Sequence, residues 1–278
     1  MPSSSPVWTI ARKEFGDGLR NRWIWAVTLL LAGASLAIGL FGAAPVGVAA
    51  TEAGGAIMAS LTNLAVYLVP LLALMLGSGA VIEEKRRGTL DLILSYPLHS
   101  RDYFLGSFAG FALALSLALT AGYLVAGLVL VPWAGLEIGE YLVLTGLSLL
   151  LGVVFLAIAF LVSLQARDRG KAIAASVFIW LGSVFLYDLV LVGILVLSEG
   201  EIPGGVLSGL LLLNPTDAFR ILCLRVIESS ASPLGLSTLS EFLPSTAALV
   251  GTLTAWALLP LFTGFRLFQS RVARDTLV

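Results

Sequence analysis

Apolar residues along this chain come in long blocks rather than at the alternating or three-to-four spacing of a half-exposed element. Six blocks run with almost no charge over residues 23–42, 58–82, 104–131, 141–164, 173–197 and 246–268. Each has the roughly 20 residues a helix needs to cross the hydrocarbon core of a bilayer. A seventh block, 206–227, is long enough but places Asp217 and Arg220 near its centre. Each would cost roughly 2.5–3.5 kcal/mol on the insertion scale. The pattern predicts an all-α membrane protein of six transmembrane helices, with the seventh block folded into the long outer loop 198–245. The two apolar arms of that block break at Asn214-Pro215, where proline opens a new helix and Thr216 or Asp217 can cap it. Such a loop helix is expected to be re-entrant or packed on the outer ends of the spans, since irregular backbone at membrane depth must be covered by protein.

The polar residues between the blocks set the orientation. Fourteen of the sixteen Lys and Arg residues fall on one side, in the N-terminal tail, the two candidate cytoplasmic loops and the C-terminal end. The alternate loops hold only Arg220 and Arg225 against eight acids. The positive-inside rule then predicts both termini in the cytoplasm. The expected organisation is a tail with an interfacial helix (1–22), a transmembrane domain (23–268) and a short tail (269–278). The first block exceeds the usual signal-peptide core and is read as a retained anchor.

Composition narrows the classes. The 278 residues are 58% hydrophobic and 12% charged, whereas soluble domains carry about 25% charge. A soluble enzyme is excluded, and a net charge of −1 supplies no field for nucleic acid. One Cys, one His and three Met are too few for a multi-ligand metal site within one chain. No phosphate-binding G-x-x-x-x-G-K-[ST] loop occurs: Gly170-Lys171 lacks the upstream glycine and is followed by Ala172. ATP and its magnesium, if used, belong to another chain, and this one is expected to bind no cofactor and catalyse nothing itself.

Four pieces remain that carry chemistry. PVWTIARKEFGDGLRNRW at the N-terminus gathers Val7, Trp8, Ala11, Phe15, Leu19 and Trp23 on one helical face, predicting an amphipathic helix on the membrane surface that Ser5-Pro6 opens. The loop over 83–103 is longer than a connection requires. Thr89 can cap a two-turn helix with Leu90, Ile93 and Leu94 on its apolar side, stopped at Tyr96-Pro97, and Ser100 can cap the third span. In the outer loop, Asp217 and Arg220 stand one turn apart and are expected to pair locally, as are Arg225 and Glu228. Asp188 is the one acid inside a predicted span, where an ionisable group is costly and is by default functional or paired. Ser183 is one candidate partner, Arg220 or Arg225 another. An aspartyl-protease reading of Tyr187-Asp188 needs a second aspartate, and no other span contains one.

The run from Glu83 and Glu84 through GTLDLILSYPLHSRDYFLG resembles the first cytoplasmic loop of ABC-2-type permeases, as ARKEFGDGLRNRW resembles their interfacial helix. Many members carry Lys where this chain has Ser107. The resemblance implies a homodimer seated on two ATPase subunits in the bacterial inner membrane. The segment 89–96 would be the coupling helix, and Glu83, Glu84, Gly88, Thr89, Leu90, Ile93, Leu94, Pro97 and Arg101 the coupling set. LVLSEG followed by LLLLNPTDAFRILCL is similar, more narrowly, to the outer loop of the Nos-system permeases, which serve nitrous oxide reductase maturation. That likeness implies a NosF-like ATPase in two copies, a NosD-like periplasmic partner, surrounding lipid, and a role in copper–sulfur centre assembly. The outer-loop residues Asn214, Pro215, Thr216, Asp217 and Arg220 would contact the partner or gate the outer side. Export of a small or lipid-like substrate is the alternative, and a proton-coupled secondary transporter using Asp188 a weaker one. Cys223 is read as a packing residue rather than a copper ligand.

Overall fold

The computed structural model describes residues 5–20, 22–41, 50–87, 99–199, 202–227 and 243–275. Among them every regular element is helical. In chain order these are α1 (Pro6–Arg20), α2 (Arg22–Phe41), α3 (Ala50–Gly77), α4 (Ala80–Arg87), α5 (Ser100–Ala134), α6 (Ile138–Gln165) and α7 (Arg169–Leu181). A π turn (Gly182–Leu186) carries α7 into α8 (Tyr187–Leu197), followed by α9 (Gly204–Leu213), α10 (Pro215–Ile227) and α11 (Thr246–Asp275).

Among the described residues six rods are long and apolar enough to cross a membrane: Ile24–Phe41, Gly54–Glu84, Ser100–Ala134, Ile138–Gln165, Arg169–Leu197 and Thr246–Ser270. They coincide with the six predicted blocks. A helix satisfies its own backbone, which is why an apolar block in lipid takes this form. The seventh block is no rod: α9 and α10 bend by 112° at Asn214, so the segment turns back as its charges and its Asn-Pro break predict.

One ridge organises the first half of the bundle. On α5 every fourth residue from Gly106 to Ala126 is small and buried: Gly106, Gly110, Ala114, Ala118, Gly122 and Ala126. Residues four apart share a helix face, and small side chains let backbones approach where lipid supplies no hydrophobic drive between helices. Both α1 and α2 lie in this seam. A Cβ on Gly106 would stand 2.8 Å from the Val7 carbonyl oxygen, and one on Gly110 only 2.5 Å from the Glu14 Cβ. Further along, the Thr28 hydroxyl donates to the Ala118 carbonyl at 3.3 Å. The interfacial helix is therefore seated on span three, a contact that the reading of α1 as a membrane-surface helix does not include. Val7, Ile10, Ala11 and Glu14 meet α5, whereas Trp8 is 56% exposed.

Span four, α6, holds the centre, with Leu144, Leu151, Phe155 and Phe160 fully buried. Its deep polar atoms are paired, as burial demands. The Tyr123 hydroxyl lies 3.1 Å from the Ser148 hydroxyl, and the Tyr141 hydroxyl donates to the Tyr123 carbonyl at 2.8 Å. Span two breaks at Ser78-Gly79, leaving the first N–H groups of α4 without helical partners. The Ser163 hydroxyl of α6 accepts from Val81 and Ile82 at 3.1 and 3.2 Å and serves as a cap from another helix. At the start of α5 the cap position belongs to His99, in extended conformation, and not to Ser100, which is the first helical residue. Span five is the least covered rod: Phe178 and Leu197 are 77% and 87% exposed.

Candidate functional site

The two ends of the bundle carry different chemistry. At the basic end the Lys13 ammonium donates to Glu14 at 3.0 Å and lies 3.5 Å from the Glu84 carboxylate. Arg169, opening α7, pairs with Glu83. Burial pushes the Glu14 carboxyl above its usual range, against the pull of Lys13. Glu83 and Glu84 thus join the interfacial helix, the base of span two and the start of span five. Partly exposed pairs of this kind contribute about 0–1 kcal/mol each, so they fix register more than stability. Lys13 and Arg169, the partners, were not singled out in the sequence, where both look like solvated loop charges. Arg101 stands exposed in the first turn of α5. Gly88, Thr89, Leu90, Ile93, Leu94 and Pro97, with the rest of the expected coupling helix, lie outside the described residues.

At the other end the structure brings two predicted pieces into one site. The helical ladder of span five is interrupted by the π turn at Gly182–Leu186, a feature that widens a helix locally. There the Ser183 carbonyl accepts two hydrogen bonds from the hairpin, from the Asn214 amide at 2.7 Å and the Thr216 hydroxyl at 3.0 Å. One turn on, the Tyr187 hydroxyl donates to the Leu210 carbonyl at 2.6 Å, satisfying an acceptor at the end of α9 that the helix itself leaves open.

Asn-Pro suits this bend because the residue before proline is held in extended backbone and proline needs no N–H donor at a first helical position. Asn214 takes φ −108 and ψ 122. Its side-chain oxygen accepts from the Thr216 N–H at 3.2 Å, and its carbonyl from the Ala218 N–H at 3.0 Å. The cap is therefore Asn214 itself; the Thr216 hydroxyl lies 2.9 Å from the same Asn214 oxygen, and neither Thr216 nor Asp217 caps the helix. Asn214, Thr216 and Asp217 are all buried.

A cation closes the site. Arg220 Nη1 donates to Asp188 Oδ2 of span five at 3.1 Å and to Asp217 Oδ1 at 3.4 Å. Asp217 also accepts from the Asn214 amide at 3.1 Å. The local Asp217–Arg220 pair and the inter-element Asp188–Arg220 pair thus exist together. Ser183 does not partner Asp188; its hydroxyl turns back to the Ile179 and Trp180 carbonyls. Arg225 donates to the Leu243 carbonyl at 2.9 Å, tying α10 to the start of span six, while Glu228 lies outside the described residues. A second aspartate does come beside Asp188, from the hairpin, but Arg220 bridges both carboxylates where a protease dyad would hold water. Cys223 is 1% exposed, within the core. Chemically the arrangement is a latch: carbonyl, amide, hydroxyl and ion pair fasten the bent hairpin to span five, while α10 itself also packs on spans two, four and six.

The fold is a helical membrane bundle with an interfacial helix seated on it and acids at the base of span two, and family comparison supplies its class. Residues 8–272 match the ABC-2 family transporter protein model, and the chain belongs to that family. It is a multi-pass inner-membrane permease. Among curated relatives it is similar to the Probable ABC transporter permease protein NosY of Pseudomonas aeruginosa, 43% identical over 271 residues, covering 95% of this chain and 98% of the relative. The protein of the same name from Stutzerimonas stutzeri is 40% identical over 272 residues, covering 96% and 99%.

Proposed function

We propose that this chain is the permease subunit of a Nos-type ABC assembly: two copies of itself, two copies of a NosF-like ATPase and a periplasmic NosD-like protein. Its work serves copper–sulfur centre assembly in nitrous oxide reductase, and thereby denitrification. The basic end, carrying fourteen of sixteen cations, faces the cytoplasm. ATP is hydrolysed on the partner, whose motion enters through the segment 89–96 and the acids Glu83 and Glu84. The ion pairs to Lys13 and Arg169 pass it to the interfacial helix and to span five. Span five carries it across the membrane to the outer hairpin, which acts mechanically on the periplasmic partner.

One observation carries this reading. The hairpin is fastened to span five by four side chains, Asn214, Thr216, Tyr187 and Arg220, so a displacement of that span displaces the hairpin. The spans offer little polar lining beyond hydroxyls, Asn63 and Asp188, which suits a lever better than a wide hydrophilic channel. The test is the Asp217→Ala/Arg220→Ala double variant expressed with its operon neighbours. Normal ATPase association with loss of reductase maturation is the expected result. Normal maturation would remove the hairpin from the mechanism, and an exporter of a small or lipid-like substrate would take its place.

A further inference from the structure

At the basic ends of spans four and five lies an open cavity of about 560 Å³. Val162 and Gln165 of α6 line one wall, Arg167 the rim, and Lys171, Ala175 and Ile179 of α7 the other wall. The last three recur at every fourth position, so this wall descends over about 12 Å from an ammonium to a methyl to a branched alkyl chain. Arg167 and Lys171 are both exposed. Asp168 stands between them: its carboxylate accepts the Lys171 N–H at 2.9 Å and lies 3.4 Å from the Lys171 ammonium. The Lys171 N–H holds that carboxyl below its usual range, aided by the ammonium, so it remains charged and the rim keeps one net positive charge.

We infer that this cavity binds an anionic phospholipid, its phosphate on Arg167 and Lys171 and an acyl chain along Ala175 and Ile179. Three observations favour that occupant. The charge of the rim matches a headgroup of charge −1, and basic pockets between spans take such headgroups. The floor is apolar, which a free anion would leave unfilled. The neighbouring face of span five is open, Phe178 being 77% exposed, so the cavity is reached sideways from the bilayer and not only from water. The site is independent of the hairpin and of the reading of its mechanism. A lipid here fills the gap beside the one span that the bundle holds loosely.

The experiment uses the full complex, purified with its ATPase and transferred to phosphatidylethanolamine nanodiscs with and without phosphatidylglycerol. Bound phosphatidylglycerol is counted by native mass spectrometry for the wild type, Arg167→Gln/Lys171→Gln, and an exposed-charge control, Arg12→Gln. The double variant keeps the residue-171 N–H that Asp168 caps. Two cations near a membrane surface imply binding weakened about thirtyfold in the double variant and unchanged in the control. Equal retention in the double variant overturns the proposal. So does displacement of the lipid by inorganic phosphate, which would make the headgroup alone the ligand. Loss of the ATPase with lipid retained would also overturn it, giving the rim to the ATPase.

Discussion

Removing Arg220 leaves Asp188 and Asp217 facing each other without the cation that bridges them at 3.1 and 3.4 Å. Breaking a fully buried pair costs about 3–5 kcal/mol. Arg220 and Asp188 are 28% and 35% exposed, so Arg220→Gln is expected to destabilise by less, about 2 kcal/mol. Adding Asp188→Asn should recover part of the loss. A double-mutant cycle on thermal unfolding should give a coupling of about 1–3 kcal/mol; additive effects would mean the pair does not form. Ser163→Ala removes the acceptor of two N–H groups at the head of α4, and a loss of about 1 kcal/mol is expected, with Ser163→Thr milder. Much of this site was legible in the sequence. A lone acid in a span demands a partner, and an Asn-Pro break with Asp and Arg a turn apart supplied one. What stayed hidden was the seat itself. A π turn leaves no trace in hydropathy, and the Ser183 carbonyl is backbone, so no residue type announces it.

Elements pack here through small residues rather than through matched charge. The seam on α5 makes Gly110 decisive for the seating of α1. A Cβ there meets Glu14 Cβ at 2.5 Å and the Ala11 carbonyl at 2.8 Å, and the latter is backbone that cannot swing aside. Gly110→Val should lift the interfacial helix off span three without preventing insertion of the spans. Protease access at residues 5–20 would rise while the membrane fraction stays constant; unchanged access would place α1 elsewhere. This seam was in plain view as a four-residue repeat of Gly and Ala, yet block hydropathy treats alanine and glycine as filler, so only the span registered. The sequence pattern turns the apolar face of α1 to the membrane surface and does not disclose its seat on α5. Val7 and Ala11 of that apolar face meet the glycine ridge, which also admits Ile10 and Glu14, while Trp8 stays exposed and Phe15 packs beside span one. For the segment 89–96 the sequence argument alone sets the expectation: Ile93→Asp should abolish ATPase co-purification, and Ile93→Leu should not.

Across the whole molecule, the hairpin packs on spans two, four and six, but both polar attachments, at the basic end and at the hairpin, meet on span five. Span four is buried over its second half, although Ile138 and Leu142 near its start are each 63% exposed. Span five is exposed along most of its length, tied by Arg169 to Glu83 at one end and by Asp188, Ser183 and Tyr187 to the hairpin at the other. Between them the Trp180 indole donates to the Tyr67 carbonyl of span two at 2.9 Å, three residues before Pro70 inside that helix. In the proposed mechanism this rod, attached at both ends, carries displacement from the basic end to the hairpin. The most direct test of this account is a spin-label distance between the two hairpins of the dimer. The labels sit on Gly205→Cys, an exposed position with open space around it, in a Cys223→Ser background. The complex is reconstituted with its ATPase and measured without nucleotide and after trapping with ATP and vanadate. The account predicts a shift of about 5 Å, one helical turn, on trapping, abolished by Asp188→Asn/Arg220→Gln at undiminished ATP hydrolysis. An unchanged distance in an actively hydrolysing complex would contradict it.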